Sequence, residues 1–183
     1  MNLPNKLTLL RVLLIPFFIV FMLVDVFGEA DKYIALAIFA VASITDMLDG
    51  KIARKYNLVT NFGKFMDPMA DKLLVCSAMI CMIDDRLQSW IVIVIISREL
   101  IISGFRTVAA DNGVVIAASW WGKWKTTSQM IMIILLILDL DFAWYGVVEY
   151  IFIYLALILT LVSLVDYLVK NRSVLSDGVS SKK

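Results

Sequence analysis

The stretch that decides the fold runs Asp46-Met47-Leu48-Asp49-Gly50-Lys51-Ile52-Ala53-Arg54, then eight residues, then Gly63-Lys64-Phe65-Met66-Asp67-Pro68-Met69-Ala70-Asp71. Four carboxylates stand inside a chain that is otherwise strongly apolar. A charge in or near hydrocarbon is expensive, so such residues are rare unless they pair or bind a cation. At about 100° per helical residue, Asp46 and Asp49 fall about 60° apart on one helix face, and Asp67 and Asp71 about 40° apart on another. Asn57, Thr60, Asn61 and Gly63 make a turn-rich connection between them. Two helices meeting there would bring the four carboxylates together around a divalent cation, or two. Oxygen-only ligation, in a chain without His, suits Mg²⁺ or Mn²⁺ rather than Zn²⁺. Gly50 and Ala53 clear side-chain bulk from the face of Asp46, so a ligand can approach the backbone closely. The competing reading is a set of interface ion pairs with Lys51, Arg54, Lys55 and Lys64. Loose pairing, however, does not demand Gly and Ala at set positions.

The rest of the chain supplies the setting. Its 183 residues are 61% hydrophobic, with mean hydropathy +0.88. A soluble core of this size cannot hide that much apolar surface, so a polytopic, all-α membrane protein is expected. A net charge of +1 offers no bulk field to recruit nucleic acid, and no nucleic-acid module is visible. Cys76 and Cys81 lie five apart on one helix, where a bridge is implausible.

The apolar pattern predicts six spans, near residues 12–27, 33–55, 62–83, 88–109, 120–138 and 142–169. Residues 2–11 read as a short interfacial segment ahead of the first span, which Pro16 is expected to kink. The first span reads as an uncleaved one, since no small-residue cleavage site precedes Asp25. Short linkers suggest one six-helix bundle over residues 1–170, followed by a polar, disordered tail over 171–183. Fifteen of the 17 Lys and Arg residues fall on one side; Lys32 and Arg86 fall on the other. The first side, with both termini and the acidic motif, is expected to be cytoplasmic.

A second polar constellation lies on that side. It comprises Ser97-Arg98-Glu99, Ser103-Gly104-Phe105-Arg106 and Gly122-Lys123-Trp124-Lys125-Thr126. Arg98, Arg106, Lys123, Lys125 and Thr126 together can hold a phosphate dianion, arginines by forked contact and lysines as point charges. The plainer reading makes the lysines topology signals or lipid-headgroup contacts, and Glu99 a simple ion-pair partner for Arg98. Trp120, Trp121 and Trp124 read as an interfacial aromatic anchor.

The spacing Asp-x-x-Asp-Gly-x-x-Ala-Arg, eight residues, Gly-x-x-x-Asp-x-x-x-Asp resembles the signature of the CDP-alcohol phosphotransferases, with Asp46, Asp49, Gly50, Ala53, Arg54, Gly63, Asp67 and Asp71 all matching. The second constellation, with Asn2-Leu3-Pro4-Asn5-Lys6-Leu7-Thr8-Leu9-Leu10-Arg11 near the start, resembles the branch of the family that makes phosphatidylglycerophosphate. The resemblance covers nearly the full length before Asn171. It implies transfer of the phosphatidyl group of CDP-diacylglycerol to sn-glycerol 3-phosphate with release of CMP, in the cell (inner) membrane. It implies two metal ions on Asp46, Asp49, Asp67 and Asp71, with Asp71 also the base for the acceptor hydroxyl. Donor contacts would come from Gly50, Ala53, Arg54 and Gly63, and from Asn5 and Thr8, and a homodimer is implied. Serine, inositol phosphate or phosphatidylglycerol remain alternative acceptors, although a basic pocket favours a phosphorylated one. From another class, intramembrane Asp residues also suit a divalent-cation transporter, but here they cluster on one side.

Overall fold

The computed structural model describes residues 2–55, 61–111, 116 and 119–172; within the helices, the side chains of 3, 4, 47–55, 61–65, 68, 110 and 111 are outside that set. Among the described residues six helices follow one another: α1 (Leu3–Leu23), α2 (Ala30–Lys55), α3 (Asn61–Cys81), α4 (Ser89–Asp111), α5 (Trp120–Leu138) and α6 (Tyr145–Lys170). No strand occurs among the described residues. The fold class is all-α. Most of the expected connection Asn57 to Gly63 and the tail after Arg172 lie outside the described residues.

The helices agree with the apolar pattern to within a few residues, with one difference. The segment expected to lie on the membrane surface ahead of the first span is part of α1, which runs unbroken from Leu3. The local chemistry explains this. Asn2 accepts the Asn5 amide at 3.4 Å, and Pro4 sits at the start, where its missing N–H costs nothing. No breaker separates Arg11 from Val12, so the first turns propagate into the apolar run.

The chain divides into two compact units, Met1–Leu87 with Ile133–Leu140, and Gln88–Met132 with Asp141–Lys183. In the first, α1 packs against α2 and α3, and α2 against α3. Its core follows helical stripes: Ile15 and Phe18 on α1, Ala35, Phe39 and Ala42 on α2, and Ala70, Leu74 and Ala78 on α3. The Phe18 and Phe39 rings meet at 6.1 Å, and the alanines let the backbones come close. Each stripe turns polar at one end. On α1 it continues into Arg11, Thr8 and Asn5, all buried; on α2 the next turn after Ala42 is Asp46; on α3 the turn before Ala70 is Asp67.

The α1–α2 turn is held by carboxylates: Asp31 Oδ2 accepts the amides of Val26 and Phe27 at 2.8 and 2.9 Å, and Gly28 supplies a φ of 67° that side chains resist. Arg86 pairs with Asp139 in the same unit.

In the second unit, α4 packs against α6. Ile91, Ile95 and Ile102 form the α4 stripe, and Ile153, Ala156 and Leu157 the α6 stripe. Both carry polar residues at core positions, Arg98 on α4 and Thr160 and Ser163 on α6. The N-terminal half of α5 buries Lys125, Ser128 and Gln129.

Among the described residues, two helical segments, Asn5–Leu23 and Tyr145–Lys170, are long and apolar enough to cross a membrane. Large apolar side chains stand exposed along them, among them Phe17 at 60% and Val165 at 60%, as expected of surfaces that face hydrocarbon rather than water.

Candidate active site

The acidic motif lies where the three stripes of the first unit turn polar. Arg11 Nη1 donates to Asp46 Oδ1 at 2.6 Å, with Arg11 wholly buried. Thr8 Oγ1 donates to Asp67 Oδ1 at 2.5 Å. Thr8 and Arg11 are one turn apart on α1, so a single face of that helix reaches both halves of the motif. Asp67 is near enough to Asp46 for their charges to repel. A carboxylate pair in that relation is unfavourable without cations close by; Arg11 is one of them.

Asp71, half-buried, follows Asp67 by one turn on α3. Asp49, Gly50, Ala53 and Arg54 lie on α2 and Gly63 on α3, with side chains outside the described residues. Asn5 is buried on the α1 stripe. Among the described residues, no three His, Cys, Asp or Glu side chains form a group that could hold a metal ion; Asp49, the fourth motif carboxylate, is outside that set. Asp46, Asp67 and Asp71 are all described and do not by themselves form such a group; the four motif carboxylates offer the oxygen-only donor set that a hard divalent cation takes.

The basic constellation separates into two groups within the second unit. Arg98, 8% exposed, and Lys125, 2% exposed, share one acceptor, Glu99 Oε1, with Arg98 Nη1 at 3.0 Å and Lys125 Nζ in direct contact. Arg98 Nη2 also donates to Ser163 Oγ at 3.0 Å. Arg106 and Lys123 are exposed and lie against aromatic rings instead, Arg106 over Tyr167 at 5.7 Å and Lys123 over Trp120 at 5.8 Å. Thr126 Oγ1 donates to the Gly122 carbonyl at 3.0 Å. Trp120 and Trp124 stand exposed and edge to face at 6.2 Å.

The first unit thus carries half-buried acids, and the second buries two cations. The chain was also compared with known proteins. The family model described as CDP-alcohol phosphatidyltransferase matches residues 1–162. The chain belongs to that family. Similar proteins include one from Haemophilus influenzae, 40% identical over 97% of each chain. Another, from Escherichia coli, is 40% identical over 96% of this chain and 98% of its own. A third, from Bacillus subtilis, is 49% identical over 75% of this chain and 77% of its own. All three bear the name CDP-diacylglycerol–glycerol-3-phosphate 3-phosphatidyltransferase.

The sequence does not single out Arg11, Glu99 or Ser163 as site residues: Arg11 counts toward the charge placement and the N-terminal run, Glu99 reads as an ion-pair partner for Arg98, and Ser163 falls within an apolar span. Arg11 carried a usable signal, since it stands one turn after Thr8 and opens a long apolar run. Ser163 carried none, because serine is common within spans.

Proposed function

We propose that this chain is an integral membrane transferase. It moves the phosphatidyl group of CDP-diacylglycerol to sn-glycerol 3-phosphate, giving phosphatidylglycerophosphate and CMP. End-to-end similarity to relatives of that name supports the substrates. The observation that carries the chemistry is that Arg11 and Thr8, one turn apart on α1, hold Asp46 and Asp67 from the two halves of the motif.

The six helices are read as six spans in one domain over residues 1–170. Both termini and the acidic motif face the cytoplasm, by the placement of Lys and Arg. In that setting the donor's acyl chains stay in the bilayer and its diphosphate lies at the level of the motif. Labelling of single cysteines at Lys6 and Arg86, from opposite sides of the membrane, tests the orientation. Chemical cross-linking in membranes tests the homodimer.

In the reaction, the acceptor's hydroxyl oxygen forms a bond to the phosphorus that bears the diacylglycerol. The bond from that phosphorus to the CMP oxygen breaks, and CMP leaves with the electron pair. Asp71 receives the hydroxyl proton. Two Mg²⁺ or Mn²⁺ ions held by Asp46, Asp49, Asp67 and Asp71 would neutralise charge on the attacking and leaving oxygens. Thr8 orients Asp67 and Arg11 orients Asp46, so the acids need not reorganise as charge develops. Gly50, Ala53, Arg54 and Gly63, with Asn5, are the residues assigned to the donor. Arg98 and Lys125, with Arg106, Lys123 and Thr126 further out, receive the acceptor's phosphate.

The test is CMP release by purified protein from CDP-diacylglycerol, with glycerol 3-phosphate, inositol phosphate, serine and phosphatidylglycerol offered separately. Release with glycerol 3-phosphate, abolished by Asp71→Asn, is expected. Release with another acceptor alone would move the chain to a different branch of the family. Cation flux without CMP release would remove it from the enzymes.

A further inference from the structure

We propose that Glu99 and Ser163 are positioning residues: they mount Arg98 and Lys125 as one rigid, positively charged pair for the phosphate monoester of the acceptor. The inference rests on the reading of Arg98 and Lys125 as the residues that receive that phosphate. It concerns two side chains from which no contact with substrate is required.

The mount has two points. Glu99 Oε1 takes a proton donor from Arg98 Nη1 and another from Lys125 Nζ, so a single oxygen sets the spacing between a cation on α4 and a cation on α5. Ser163 Oγ accepts from Arg98 Nη2 and itself donates to the Thr160 carbonyl at 2.9 Å. The hydroxyl is thereby oriented with its lone pairs toward the arginine. Held at both terminal nitrogens, the guanidinium plane cannot rotate freely. Thr160 and Ser163 are wholly buried on a helix that is otherwise largely apolar, where a hydroxyl has no water to fall back on.

One feature of the cluster points beyond a simple ion pair: Arg98 Nε is buried and has no hydrogen-bond partner among the described residues. A guanidinium has five N–H donors in a fixed fork, and Glu99 and Ser163 engage only part of it. An arriving phosphate dianion answers the unused donors. The backbone allows close approach on the α5 side: Gly122 has no side chain, and a Cβ there would lie 3.9 Å from Arg98 Nη2.

The experiment uses the full chain in detergent micelles. It compares wild type, Glu99→Gln, Ser163→Ala and Arg98→Gln for kcat, KM for glycerol 3-phosphate, KM for CDP-diacylglycerol and thermal midpoint. Glu99→Gln is expected to raise the KM for glycerol 3-phosphate about tenfold or more, and Ser163→Ala about threefold, with the KM for CDP-diacylglycerol moved less than roughly twofold. A purely structural role would lower the midpoint, or move both KM values together, and either pattern overturns the proposal. Arg98→Gln separates the two levels. If it leaves the KM for glycerol 3-phosphate unchanged, the acceptor reading itself is wrong and this inference falls with it. If it raises that KM while Glu99→Gln and Ser163→Ala do not, only the positioning role is wrong. Should Glu99→Gln fail to fold, Ser163→Ala, which removes one hydroxyl, decides on the same criterion.

Discussion

Arg11 and Asp46, 35 residues apart in the chain, are joined by a 2.6 Å contact between Nη1 and Oδ1. The arginine is wholly buried, and the aspartate side chain is 38% exposed. The pair ties α1 to the acidic end of α2. Replacing Arg11 by Met leaves Asp46 facing Asp67 without that counter-charge. Because the aspartate keeps partial contact with solvent, the loss of stability is expected to be about 1–3 kcal/mol, below that of a fully buried pair. Thermal unfolding in detergent measures it. Arg11→Lys retains the charge and should recover part of the loss, but not all, since one ammonium cannot reproduce the fork.

Thr8 is joined to Asp67 across 59 residues of sequence. Thr8→Val keeps the shape and removes the hydroxyl. A hydrogen bond to a charged group is worth about 1.5–3 kcal/mol. If half of that serves to orient Asp67, turnover falls by about three- to tenfold. Thr8→Ser restores the donor and is expected to stay near wild type. Initial rates of CMP release distinguish the two variants; equal losses would assign Thr8 to packing alone.

Chelation tests the metal reading. Removal of divalent ions is expected to abolish turnover, and Mg²⁺ or Mn²⁺ to restore it. Zn²⁺ should restore it poorly, since the site offers no nitrogen or sulfur ligand. In Asp67→Asn the restoration should fail even at high Mg²⁺, while the far-ultraviolet circular dichroism stays helical. Full activity in the presence of chelator would exclude the two-ion reading.

Lys125 and Lys123 are two residues apart and differ sharply in environment, one buried against Glu99 and one exposed against Trp120. Lys125→Met is expected to raise the KM for glycerol 3-phosphate about tenfold, the loss of one charge-assisted contact. Lys123→Met should raise it by a smaller factor, roughly two- to threefold, as suits an exposed outer contact. The reverse order would place the phosphate on the outer face of α5.

Much of this was legible in the chain. The apolar periodicity located α5 at residues 120–138, and the helix spans Trp120–Leu138. The motif alone marked Asp46 and Asp67 as polar positions that need partners, and each has one on α1, Arg11 and Thr8. The start of α1 was not legible. Alternating polar and apolar residues over 2–11 have the composition of a surface segment. Only the packing of Thr8 and Arg11 against α2 and α3 makes burial of that face favourable. Nor was the division of the basic residues legible, because spacing along α4 and α5 does not say which cation an acid on a neighbouring turn will take.

The sequence by itself determined an all-helical, strongly apolar chain and the acids at its centre, since helical periodicity and carboxylates at fixed spacing are properties of neighbouring residues. Only the tertiary structure decided that Arg11 serves Asp46, that Thr8 serves Asp67, and that Glu99 and Ser163 share Arg98. Those partners lie on different helices or compete for the same group. Which of them meet is set by how the apolar stripes pack, and that is a property of the whole fold.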